Sequence, residues 1–127
     1  MLRRLLLLVP FCLAALACGG DPMKGANAAL AAGDLPKAEA ALDALVADKP
    51  QLMSARITRF VLYRHEALLG PPAKQAAYLQ KGIEEFDAIA THFQLSLDYK
   101  DMEGCIKKGP PEAAALFAAA HKSIYGE

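Results

Sequence analysis

The 127-residue chain has no tryptophan, and only 7% of it is aromatic, so its 54% hydrophobic content rests mainly on alanine and leucine. It carries no excess of either charge: 14 Lys and Arg balance 14 Asp and Glu, for a formal net charge of zero. With no basic run to neutralise phosphates, nucleic acid is excluded as the main partner. Nine glycines and eight prolines are too few for a collagen-like or low-complexity chain. The length is that of one domain and excludes a large multidomain enzyme. No GxSxG, P-loop, GxGxxG, HExxH or CxxC occurs in the sequence. The reading is therefore of a non-enzymatic protein, with no catalytic residue, cofactor or metal site assigned. The histidines, His65, His92 and His121, fall on three different expected helices and have no His or Cys companion one turn away.

The first residues are an export segment rather than part of a fold. Met1-Leu2-Arg3-Arg4 is a basic start, and Leu5 to Ala17 is an apolar stretch interrupted by Pro10 and Cys12. That stretch falls short of the ~20 residues needed for a membrane-spanning helix. Small residues follow, in Ala15-Leu16-Ala17-Cys18-Gly19-Gly20. Residues Ala15 to Cys18 resemble the lipobox of bacterial lipoproteins, with Ala15 standing where Leu or Val is usual. The resemblance implies a signal peptide over residues 1–17 and lipidation of Cys18, followed by a tether over 18–24 and a folded domain over 25–127. Acyl chains contribute ~0.8 kcal/mol per buried methylene, so the lipid would hold the domain on a membrane. Removing Arg3 and Arg4 takes the basic count from 14 to 12 against 14 acidic residues, a net charge of −2. Charge alone then draws nothing to anionic lipid. Gly19 rather than Asp follows Cys18, which favours the periplasmic face of the outer membrane over the inner membrane. Losing Cys12 and lipidating Cys18 leaves Cys105 alone. No internal disulfide framework results, and Cys105 reads as a buried small hydrophobe or an inter-chain thiol.

The remaining chain is expected to be all-α, with about five helices arranged as antiparallel hairpins. Helix periodicity places the first over Lys24 to Ala32, ended by Gly33, and the second over Leu35 to Asp48, capped by Asp34 and started by Pro36. In the second helix Leu35, Ala38, Ala41, Leu42, Leu45 and Val46 make one apolar stripe.

Asn27 to Pro50 resembles one tetratricopeptide repeat, a helix-turn-helix with small residues where its helices touch. Gly33 falls at the turn glycine and Ala38 at the small position of the second helix. Leu42 and Leu45 take packing positions, and Pro50 takes the terminal proline. Ala29 and Gly25-Ala26 depart from the first-helix signature. The resemblance implies a helical-hairpin stack that binds protein segments on a concave face.

A third helix is expected over Gln51 to Leu69, with Met53, Ile57, Phe60, Val61 and Leu68 at apolar spacing. A fourth spans Pro72 to Phe93, with Ala76, Leu79, Ile83, Phe86, Ile89, Ala90 and Phe93 on one side. Gln94 to Gly109 is the least regular stretch, with room for a short helix over Tyr99 to Lys107. The last helix spans Pro111 to Tyr125 and is expected to cap the open end of the second hairpin.

Two polar groups stand out. Glu84, Glu85 and Asp87 read as a solvated surface opposite Ile83 and Phe86. Arg56, Arg59, Tyr63 and Glu66 form a polar stripe on the third helix, with Arg56, Arg59 and Tyr63 as candidate binding residues. Two guanidinium groups on one face suit a peptide carboxylate or an acidic ligand. Four functions stay open: an envelope interaction module with an envelope-protein partner, a pilotin-like assembly factor, a small-ligand carrier associated with a transporter, and a toxin or immunity lipoprotein, which leaves no compositional mark. The carrier reading needs an apolar cavity between the third, fourth and last helices.

Overall fold

The computed structural model describes residues 20–126. The expected signal segment over 1–17 and Cys18, the expected lipidation residue, lie outside the described residues. Those described are all-α, with six helices: α1 Lys24–Ala31, α2 Leu35–Asp48, α3 Met53–Leu69, α4 Pro72–Phe93, α5 Met102–Lys107 and α6 Pro111–Tyr125. None of them is long and apolar enough to cross a membrane.

Local chemistry sets most of these boundaries. Gly33 takes φ +73°, a left-handed turn that a side chain would strain. Asp34 then accepts a hydrogen bond from the Lys37 N–H at 3.2 Å and caps α2. Prolines stand in the first turns of α2, α4 and α6, where a missing N–H breaks no helical bond. The sixth helix, beyond the expected five, is α5. Its first turn is held by Asp101, whose carboxylate accepts from the Gly104 N–H at 3.1 Å.

The packing is organised around α3, which meets α2, α4 and α6 on different sides. Towards α4, α5 and α6, Ile57, Phe60 and Val61 join Phe86, Ile89, Met102, Ile106 and Phe117 in the largest core cluster. Towards α1 and α2, Ala55 and Leu62 join Met23, Ala26, Leu42 and Val46. Ala29, Leu30 and Ala38 form a third cluster, and Ile124 of α6 packs against all three. The last helix therefore does more than close one end. Its stripe of Ala113, Phe117 and Ala120 lies buried along α3, and it also touches α1. Small alanines let it approach closely.

Three expected core positions are solvent-facing. Leu68 is 59% exposed and Leu79 is 41% exposed, and Ala76 is exposed as well. The buried clusters reach only to Leu62 on α3, with Ile83 of α4 at their edge, so no neighbouring helix covers these residues. Cys105 is free and half-buried against the main core.

Candidate functional site

The third side of α3 carries no apolar cluster. Residues 56, 59, 63 and 66 recur every three or four positions, so their side chains share one helix face. The structure brings Arg56, Arg59 and Tyr63 together there. They form the floor of an open groove whose walls are α2 and α4. One depression of about 380 Å³ is lined by Asp43, Arg56, Arg59, Tyr63, Lys81 and Glu85, among others. A neighbouring one of about 400 Å³ includes Glu39, Asp43, Glu66, Lys74 and Tyr78. Asp43 is common to both.

The two guanidinium groups already have a carboxylate, and it comes from α4. Glu85 is 2% exposed, which corrects its reading as part of a solvated surface. Its spacing explains this: Gly82, Glu85, Phe86, Ile89 and Ala90 make up the buried stripe of α4, and Glu85 lies within it. Arg56 donates from Nη1 to Glu85 Oε1 at 2.8 Å, and Arg59 donates from Nε to Oε2 at 2.6 Å. Arg59 Nη2 also meets Oε2. A buried carboxylate is stable only when its lone pairs are answered in this way. Arg56 is further tied to the Pro50 carbonyl through Nε at 2.7 Å. Arg59 Nη1 reaches Asp43 Oδ1 of α2 at 3.1 Å, and the Tyr63 hydroxyl donates to the same oxygen at 3.3 Å. The chain Arg56–Glu85–Arg59–Asp43–Tyr63 thus ties three helices together across the groove floor.

The electrostatics follow the contacts. For Arg59, burial works against the charge, but Glu85 and Asp43 outweigh it and raise its pKa. Burial drives the Tyr63 phenol upward. Arg59 opposes that rise, whereas Asp43 and Glu39 add to it. Tyr78 is pushed up to about 12, first by its hydrogen bond to Glu39 and then by burial. That bond, from the Tyr78 hydroxyl to Glu39 Oε1, is 2.7 Å long. Lys81 Nζ stands 5.7 Å from the Tyr63 ring centre and 5.1 Å from that of Tyr78, within cation–π range of both.

Glu39, Asp43, Tyr78, Lys81 and Glu85 are the groove residues that sequence reasoning missed. Only Glu85 left a trace in the sequence, in its position within an apolar stripe. The others meet α3 through tertiary packing alone. Glu66 lies at the far end of the groove, where its Oε1 is 3.1 Å from His65 Nδ1. Asp87, expected to be solvated, is half-buried and accepts a hydrogen bond from the Tyr99 hydroxyl at 2.7 Å. Among the described residues, no group of three or more His, Cys, Asp or Glu is placed to hold a metal ion. The aromatic rings of His65 and His121 both pack against Tyr125, His121 stacked at 4.4 Å.

Compared with protein-family models, with curated proteins and with solved structures, the chain finds no match.

Proposed function

We propose that this protein is a lipid-anchored lipoprotein of the bacterial cell envelope. In this reading it acts as a non-enzymatic interaction module that receives a segment of an envelope protein in the groove between α2 and α4. The observation that carries the reading is the polar, aromatic-bearing groove over α3, which lies open between α2 and α4 as a chain segment needs and does not enclose its contents. The leader-like N-terminus and Cys18 support the anchoring half of the proposal. Gly19 supports the periplasmic face of the outer membrane.

A tetratricopeptide-like hairpin stack is part of this reading. It draws support from the left-handed Gly33 turn, from the full burial of Ala38 and Leu42, and from the antiparallel order of contacts that α4 makes with α3 and the residues flanking it. These run from Gln51 with His92, through Arg56 with Glu85, to Gly70 with Gln75. A pilotin-like role would be one form of the same activity. The space between α3, α4 and α6, where a carried ligand would sit, is filled by Phe60, Phe86 and Phe117, each at most 2% exposed. That filling supports interaction over carriage.

The test is crosslinking in intact cells, followed by affinity capture through a C-terminal tag. Ala40 is exposed on the α2 wall. Ala40→Arg should block the groove and lose the captured partner at unchanged helical content. Capture that survives Ala40→Arg overturns the groove as the binding face.

A further inference from the structure

The groove's charge differs from what its arginines suggest. Arg56 and Arg59 are answered within the chain by Glu85 and Asp43, so neither guanidinium stands ready for an acidic ligand. The remaining carboxylates along the two depressions are Glu39, Glu66 and Glu84, against the ammonium groups of Lys74 and Lys81. Asp43 remains half-exposed even while it meets Arg59. The open groove is therefore balanced towards negative charge, and a cationic group complements it.

Within the groove one place is already shaped for such a group. The rings of Tyr63 and Tyr78 lie 6.0 Å apart, tilted by 42°. An ammonium near both ring faces is attracted by both quadrupoles. Glu39 is fixed beside them by the Tyr78 hydroxyl, and Asp43 by the Tyr63 hydroxyl. Lys81 extends its own ammonium into this setting and reaches Glu39 Oε2 at 3.6 Å. Its hold is weak. The side chain is 48% exposed, the ion pair is long, and exposed pairs of this kind contribute little. Lys81 thus marks what the recess accepts while remaining easy to displace.

We propose that the Tyr63–Tyr78 recess is a lysine-reading subsite, which takes a lysine side chain from the bound segment of a protein partner in place of Lys81. This rests on the interaction reading above and names the chemistry of the segment that the groove receives. Tyrosine faces supply the cation–π contact, Glu39 supplies the counter-charge, and Lys81 swings to solvent.

The test uses the full-length chain in detergent micelles, with a labelled, end-blocked pentalysine peptide as probe and fluorescence anisotropy as readout. Wild type should bind pentalysine in preference to pentaglutamate. Lys81→Ala vacates the recess and should tighten binding about tenfold, the scale of one partly desolvated cation–π contact. Lys74→Ala removes the same charge outside the ring pair and should change affinity far less. Tyr78→Ala and Glu39→Gln should each weaken binding, with circular dichroism unchanged, since both side chains are part-exposed. The proposal is overturned if neither wild type nor Lys81→Ala binds pentalysine, if pentaglutamate binds as well, or if Lys74→Ala and Lys81→Ala give equal gains. Spermidine binding as tightly as the peptide would replace the protein segment with a polyamine and also overturn it. Pentalysine binding does not depend on cellular capture. A protein that binds the peptide but captures nothing leaves the subsite standing and removes the interaction reading. Capture through the groove without peptide binding does the reverse.

Discussion

Arg59 donates its Nε–H to Glu85 Oε2 at 2.6 Å across the α3–α4 interface, where the Glu85 side chain is 1% exposed. Removing one partner of a buried, hydrogen-bonded charge cluster leaves the other charges uncompensated. Glu85→Ala should therefore lower unfolding stability by about 3 kcal/mol, at the lower end of the usual range because both arginines keep some contact with water. Arg56→Ala should cost less, since Arg59 still answers the carboxylate. Urea denaturation of the two variants checks the ordering. An Arg56→Ala loss as large as that of Glu85→Ala would contradict it. The double substitution Arg56→Ala with Arg59→Ala should also lower the melting temperature, so it cannot serve as a clean test of binding.

The hydrogen bond from Tyr78 to Glu39 makes an alkaline prediction. The phenol is raised from 10.0 to about 12, so the folded state holds this proton more tightly than the unfolded chain does. The stabilisation is fully present below pH 10 and is lost as pH rises through about 12. The gap in urea midpoint between wild type and Tyr78→Phe should be widest below pH 10 and should close towards pH 12. A gap that widens with pH would refute the assignment.

Gly33 joins α1 to α2 at φ +73° with nothing near its missing side chain. Space is therefore not the constraint there; backbone conformation is. Gly33→Ala should destabilise by about 1 kcal/mol, and Gly33→Asn by less, because asparagine tolerates the left-handed region better. Equal effects of Ala and Asn in chemical denaturation would point away from backbone strain.

The anchoring half of the proposed function stands on Cys18. Cys18→Ala should move the protein from the membrane fraction to the soluble fraction of lysed cells, with the helical content of the domain unchanged. A variant that remains in the membrane fraction would show that something other than this cysteine holds it there.

Much of the helical framework was legible from residue order. The ends of α2, α4 and α6 coincide with those expected from capping and proline positions, because Asp34, Pro36, Pro72 and Pro111 act through their immediate neighbours. The start of α3 moved from Gln51 to Met53, and α1 ends one residue early, at Ala31. Leu68 and Leu79 were misread because helical spacing says which residues share a face but not whether another helix covers that face. The same limit hid Glu85, whose place in a buried stripe looks unfavourable until the two arginines opposite are known.

Residue order alone therefore determined that the chain is helical, where most of its helices begin and end, and that Arg56, Arg59 and Tyr63 share one face. These depend on interactions spanning a few positions along the backbone. Only the tertiary structure decided what that face meets. Glu85 and Lys81 from α4 and Asp43 from α2 arrive through packing between segments far apart in the chain. Their arrival turns a pair of apparently available guanidinium groups into a neutralised floor beneath a cation-favouring groove, because the Coulomb energy of a charge depends on its neighbours in space and not on its place in the sequence.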